Sequence, residues 1–260
     1  MTVLTIADCH GHLDIEELKN TLEHGVEAVE AVILLGDNDL SDIEKVLAVV
    51  PEELPILGVL GNHDSKDFYK EVNEAYHDRI TDISGRVVRL NGTRIGGLSG
   101  SLRYKDEDCY CMYTEKEYEA FLKGMECDVL VSHTPPSCCT KKDADEAHRG
   151  IKALTKYIRK KKPDKVFYGH IHEYDIMSRK GKTDLIGCYG IENRWWGEGK
   201  TALNKVRWLI NSIGQTRLER RENGFVAKCP RCNSEPKVMT RGKQNIIVCS
   251  CGYIMEEMSQ

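Results

Sequence analysis

The sequence predicts an α/β protein. Short apolar runs alternate with amphipathic helical patterns from residue 3 to residue 170, as βαβ units do. Side chains able to bind a metal close five of those runs: Asp8, Asp37, Asn62, His133 and His170. In open α/β sheets that carboxyl edge is where ligands bind.

Taken in order, residues 3–8 (VLTIAD) read as a buried strand. Residues 14–25 place Ile15, Leu18 and Leu22 on one helical face and stop at Gly25. A second strand is predicted at 30–37, a second helix at 42–50 and a third strand at 55–62. Within 85–100, Asn91–Gly92 between alternating runs predicts a hairpin. Residues 114–125 form a helix opened by a Thr114–Glu117 capping box. A strand at 127–133, a helix at 151–161 stopped by Pro163, and a strand at 164–170 complete the series. Residues 201–224 fit a helix or a strand, and the helix is preferred.

With 260 residues and 40% apolar content, one large domain plus a small appendage can bury a core. No run of eighteen apolar residues occurs, and the N-terminus lacks the basic segment of a signal peptide, so a cytoplasmic protein is expected. Eleven cysteines, mostly scattered singly, argue against a disulfide framework. Cys9, Cys127, Cys138, Cys139 and Cys188 read as small buried or incidental thiols, and His12, His24 and His77 as structural or solvent-facing. The net charge of −4 is uneven: the first sixty residues are strongly acidic, and residues 201–243 are basic. Two solvated faces of opposite sign account for this, although a basic C-terminal third also suits a polyanionic partner.

Asp8 and His10 are two residues apart at the end of the first strand, as are His170 and His172 at the end of the fifth; each pair faces one way. Asp37 ends the second strand, Asn62, His63 and Asp64 follow the third, and His133 ends another. Imidazole, carboxylate and amide donors suit Mn, Fe, Ni or Zn better than Ca or Mg. Gly36, Gly61 and Gly169 precede key residues where a turn must pass close to the site.

The series Asp8-Cys9-His10, Gly36-Asp37, Gly61-Asn62-His63-Asp64, His133 and Gly169-His170-Ile171-His172 resembles the calcineurin-like metallophosphoesterases over residues 1–190. The resemblance implies a four-layer αββα sandwich. It implies two divalent transition-metal ions, manganese by preference. Asp8, His10 and His172 would hold one, Asn62, His133 and His170 the other, with Asp37 bridging. His63 would stand by the leaving group. A metal-bridging hydroxide would attack phosphorus, with no protein nucleophile.

Protein phosphatases of this superfamily carry G-D-x-V-D-R-G after the second strand, where this chain has GDNDLSD without the arginine. The segments SLRY (101–104), SHTPPS (132–137) and DEAHRG (145–150) resemble small bacterial and archaeal phosphoesterases. The expected activity is a phosphodiesterase acting on a small nucleotide or related diester. The alternatives are a nuclease and a phosphomonoesterase or protein phosphatase. Arg103, His148 and Arg149 are candidates to hold substrate; surface ion pairs explain the two arginines equally well.

Near the C-terminus, Cys229-x-x-Cys232 and Cys249-x-Cys251 resemble a zinc ribbon with four thiolates around one structural zinc. The second knuckle is one residue shorter than the usual C-x-x-C. So short a module depends on its ion for stability, and its basic flank is a candidate surface for nucleic acid or protein. The expected domains are therefore 1–200 for the phosphoesterase, 201–224 as a helical connection and 225–260 for the ribbon.

Overall fold

The first strand, β1 (Thr2–Ala7), is buried along its whole length and so needs cover on both faces. The computed structural model shows what supplies it. It describes residues 2–24, 29–108, 110–172 and 177–195, together with the backbone of five later strands. After β1 come α1 (Ile15–His24), β2 (Ala31–Leu34), α2 (Leu40–Val49), β3 (Ile56–Gly58), α3 (Phe68–Ala75) and β4 (Ile80–Asp82). Next are β5 (Val87–Leu90), β6 (Thr93–Leu98), β7 (Ser101–Leu102), β8 (Met112–Tyr113), α4 (Glu115–Leu122) and β9 (Val129–Ser132). The series closes with α5 (Lys152–Lys161), β10 (Lys165–Tyr168), β11 (Met177–Lys180), β12 (Thr183–Gly187) and β13 (Gly190–Trp195).

Two sheets result. The first runs β13-β1-β2-β3-β4, with β13 the antiparallel edge of a parallel set. The second runs β11-β12-β10-β9-β6-β5, parallel inside and antiparallel at both edges. Side-chain alternation sorts the core into three clusters. Val3, Ile33 and Leu57 of the first sheet meet Ile95, Val131 and Phe167 of the second between the sheets. Leu4, Val32 and Leu34 face outward onto Leu18 of α1, Ile43 and Val46 of α2, and Val72 of α3. Leu130, Val166 and Tyr168 face the other way onto Tyr118 of α4 and Leu154 and Ile158 of α5. The layers are therefore helix, sheet, sheet, helix.

Local signals act as predicted. Thr114 Oγ1 accepts from the Glu117 amide, and the Glu117 carboxylate accepts from the Thr114 amide, which closes the capping box. Asn91 and Gly92 both have positive φ, 47° and 82°, as a two-residue hairpin turn between β5 and β6 requires. α5 ends at Lys162 in the left-handed region, just before Pro163. Among the described residues Cys9, Cys111, Cys127, Cys138 and Cys139 are free thiols. No described helix is long and apolar enough to cross a membrane.

The chain divides into Met1–Trp196 and Gly197–Gln260. In the second unit β14 (Arg217–Arg221) pairs with β15 (Gly224–Lys228). Separately, β16 (Lys237–Arg241), β17 (Gln244–Val248) and β18 (Ile254–Ser259) form an antiparallel sheet. The helix expected over 201–224 is thus corrected at 217–221, which is strand. Those residues pair antiparallel with β15, Arg221 opposite Gly224, so strand pairing takes up their backbone groups. The rest of the expected helix, 201–216, lies outside the described residues, as do Cys229, Cys232, Cys249 and Cys251.

Candidate metal centre

Backbone strain marks the site before any side chain is considered. Nine described non-glycine residues have positive φ, and five of them are Asp8, His10, Asp37, His170 and His172. Each costs stability in that conformation, and such outliers collect at functional sites. All five follow strand ends at one rim of the two sheets. The turns that carry them pass very close together. A Cβ on Gly36 would lie 2.6 Å from Gly61 Cα, and one on Gly169 would lie 2.7 Å from Asp8 Oδ2. The glycines admit neighbouring backbone and carboxylates.

The side chains converge in two groups. Ligand atoms of Asp8, His10 and His172 lie within 4.8 Å of one another, and so do those of Asp37, His133 and His170. The second group is fully buried, whereas the first opens toward solvent through His172. Asp37 Oδ2 faces both, 3.5 Å from His133 Nε2 and 3.9 Å from His10 Nε2. Asn62 joins the buried group, with Oδ1 2.9 Å from His133 Nε2.

Hydrogen bonds orient these donors outward from the protein frame. His133 Nδ1–H donates to the Leu35 carbonyl at 2.7 Å, which leaves Nε2 with its lone pair. Asn62 Nδ2 donates to the Tyr104 hydroxyl at 3.3 Å, which turns Oδ1 toward that same Nε2. Two acceptors thus face one another at 2.9 Å, and a cation between them resolves the conflict. His170 Nε2–H donates to the Ala147 carbonyl at 2.7 Å, freeing Nδ1. Asp8 Oδ2 accepts from the His170 amide at 2.8 Å, while buried Asp8 Oδ1 has no hydrogen-bond partner. A buried carboxylate oxygen left without a donor is what a metal ligand looks like before the metal. The donor set therefore fits divalent cations.

Protonation follows burial and charge. Burial, then the Asp37 charge, raises the Asp8 carboxyl well above its ordinary range. Burial also pushes Asp37 up, but His133, the His63 amide and the His63 and His10 rings outweigh it and hold Asp37 below that range. Burial lowers His133 and, reinforced by His133, takes His170 down to about 3. Both imidazoles are neutral, as ligands must be.

The remaining predicted residues take varied positions. His63 is exposed on the open side, its ring 5.4 Å from that of His10, and its amide donates to Asp37 Oδ1 at 2.8 Å. The His148 ring lies 5.3 Å from the His170 ring, with Nδ1 2.8 Å from Asp145 Oδ1. Arg103 is paired with Asp108 at 3.1 Å and donates to the Met112 carbonyl, and Arg149 lies 3.6 Å from Glu146.

Four contributors were given no role from the sequence. Buried Asp64 accepts from the Asp37 and Gly61 amides at 3.0 and 2.7 Å, tying the second turn to the third. Burial, then the Asp37 charge, pushes it up to about 7. Asp42 accepts from the Gly11, Leu13 and Asp39 amides at 2.7, 2.9 and 3.1 Å, clamping the loop that carries His10. Tyr104 orients Asn62, and Tyr189 stacks on His172 with ring centroids 5.2 Å apart. Asp64 stood in the Gly-Asn-His-Asp run and Tyr104 in the SLRY segment, but neither place told what the side chain holds.

A helix–sheet–sheet–helix body with two imidazole–carboxylate groups at one rim is the form of a phosphoesterase. Residues 1–188 match the calcineurin-like phosphoesterase superfamily domain, and the chain belongs to that superfamily of hydrolases. An uncharacterized protein of Haemophilus influenzae is 26% identical over 209 residues, 66% of this chain and 83% of that one. One solved crystal structure superposes with a TM-score of 0.54 at 16% identity, over 75% of this chain and 99% of the other, a likeness of fold. A dimetal phosphatase from Danio rerio gives a TM-score of 0.48 at 13% identity, over 95% of each chain.

Proposed function

We propose that the chain is a dinuclear-metal phosphodiesterase acting on a small nucleotide or related diester. The observation that carries this reading is Asp37, whose Oδ2 faces an imidazole of each ligand group. A carboxylate so placed is the bridge that a close cation pair needs. Asp8, His10 and His172 would hold one ion, and Asn62, His133 and His170 the other. The donors favour Mn, Fe, Ni or Zn, manganese first. Bound there, the pair supplies Lewis acidity and an ionised water.

The chain's own residues supply the rest. Asp64 and Asp42 hold the turns that present Asp37 and His10. His63, exposed beside the first group, serves the departing oxygen as proton donor or charge stabiliser. His148 borders the buried group and is the favoured substrate contact. Arg103 and Arg149 reach substrate only by leaving Asp108 and Glu146. The absence of the protein-phosphatase arginine supports a diester over a phosphoprotein. Scattered free thiols support a cytoplasmic setting.

For the C-terminus we propose a structural zinc on Cys229, Cys232, Cys249 and Cys251. Each cysteine pair begins directly after a strand, β15 ending at Lys228 and β17 at Val248, which supports two knuckles joined by a hairpin.

The test is a screen of manganese-reconstituted protein against bis-p-nitrophenyl phosphate, p-nitrophenyl phosphate and cyclic nucleotides, with Asp37→Asn alongside. Diester turnover lost in the variant is expected. Turnover unchanged by the substitution contradicts the bridge, and turnover confined to the monoester contradicts the diester preference. Salt-dependent affinity for polynucleotide would favour a nuclease instead.

A further inference from the structure

A cavity of about 500 Å³ opens beside His63, the residue assigned above to the departing oxygen. One part of its lining is the start of α2, Asp39, Leu40 and Ser41; another is Ser65, Phe68 and Tyr110. Leu40 is 49% exposed. A single exposed leucine means little. Sharing a concave surface with two aromatic rings, it makes a slot for a flat apolar moiety.

The polar groups point to what that moiety carries. Ser41 and Ser65 offer hydroxyls. Asn38 also lines the cavity; it is 2% exposed, its Nδ2 donates to the Gly36 carbonyl at 3.1 Å, and its Oδ1 has no hydrogen-bond partner. That acceptor is itself buried, so the hydroxyls of Ser41 and Ser65 are the neutral polar groups at the cavity surface. No lysine or arginine lines the cavity, and its charged members are the carboxylates Asp39 and Asp64. Lys105 lies 5.2 Å from the Tyr110 ring centroid, but it is paired with Glu107 and is not part of the lining.

We propose that this cavity is the leaving-group subsite and that it selects an uncharged, hydroxyl-bearing group with a flat apolar face, such as a nucleoside. Leaving groups carrying a further phosphate on the side away from the metal centre are disfavoured, because that phosphate would meet exposed Asp39 in a wall that holds no lysine or arginine. The proposal rests on the phosphodiesterase reading and narrows its substrates to diesters of neutral alcohols, which excludes polynucleotides.

Two measurements separate the subsite from the activity. Methyl NMR of the metal-loaded protein, titrated with thymidine, reads the cavity without turnover. Thymidine is expected to shift the Leu40 methyl resonances. Turnover of a dinucleoside monophosphate is then compared with that of the same compound phosphorylated at either end. The extra phosphate on the departing side should lower kcat/KM by about tenfold or more, from like-charge repulsion. Leu40→Lys, which places a cation in the wall, should narrow that ratio. Leu40 resonances indifferent to thymidine, or equal kcat/KM for both diesters, overturn the subsite. Thymidine binding without any diester turnover leaves the subsite standing and removes the diesterase reading.

Discussion

Gly61→Ala is the sharpest test of how the turns support one another. Gly61 is not in the left-handed region, so alanine brings no backbone penalty there, only contact. Its Cβ would lie 2.5 Å from the Asp37 amide nitrogen, 2.6 Å from Asp37 Cγ and closer still to Oδ1. None of these is the free end of a flexible chain, because Asp37 Oδ1 is held by the His63 amide and the Asp37 amide by Asp64. Overpacking of this kind costs about 1–3 kcal/mol. Breaking a charge-assisted hydrogen bond adds about 1.5–3 kcal/mol. The sum, roughly 2.5–6 kcal/mol, would lower Tm by about 5–24 °C for a unit of this size. Urea and thermal unfolding of metal-free protein measure it, with Gly124→Ala as control. Gly124 has φ +80° but nothing within 4 Å of an added Cβ, so it should cost only about 1–2 kcal/mol. A Gly61→Ala protein as stable as the control refutes the reasoning that the Asp37 turn and the third turn are wedged together.

Other outcomes follow from the same geometry. Asp42→Ala leaves three backbone donors without their acceptor and should cost about 2–4 kcal/mol in urea unfolding, with weaker metal binding at the His10 group. Tyr104→Phe frees the Asn62 amide to turn and should weaken binding of one metal about 10–100-fold by titration calorimetry, with little change in Tm. In metal-free protein, His170 is held neutral down to about 3, so the folded state binds fewer protons than the unfolded chain between there and the ordinary imidazole range. Its contribution to stability is present above that range and is lost as pH falls through it toward 3. His170→Gln should therefore show a shallower acid loss in urea midpoints between those limits.

Much of the fold was legible because buried parallel strands announce themselves. The strands predicted at 30–37 and 127–133 are built on the apolar runs 31–35 and 129–131, and they contain β2 and β9, both interior strands of their sheets. The later strands β11, β12 and β13 escaped notice. Runs such as MSRK and GIENRW are polar, and antiparallel edge strands need little apolar sequence to pair. The helix expected at 217–221 gave way to a strand whose pairing with Gly224–Lys228 the polar run RLERR does not announce.

The clustering of the candidate site's side chains was legible, and their supports were not. Asp8, His10, Asp37, Asn62, His133, His170 and His172 stand at strand ends, where a two-residue spacing and a rim position can be read from one dimension. Asp42 and Tyr104 act on loops far from them in sequence, so only the folded chain shows what they hold. Nor does composition announce left-handed backbone at aspartate and histidine, since propensity assigns such turns to glycine.

The account turns on Asp37 standing between two cations. Anomalous diffraction at the manganese edge, from crystals grown in excess manganese, tests it directly. Two peaks about 3.5–4 Å apart, one beside His10 and His172 and one beside His133 and His170, with the Asp37 carboxylate between them, are the predicted result. A single peak, or ions that Asp37 does not touch, would contradict it.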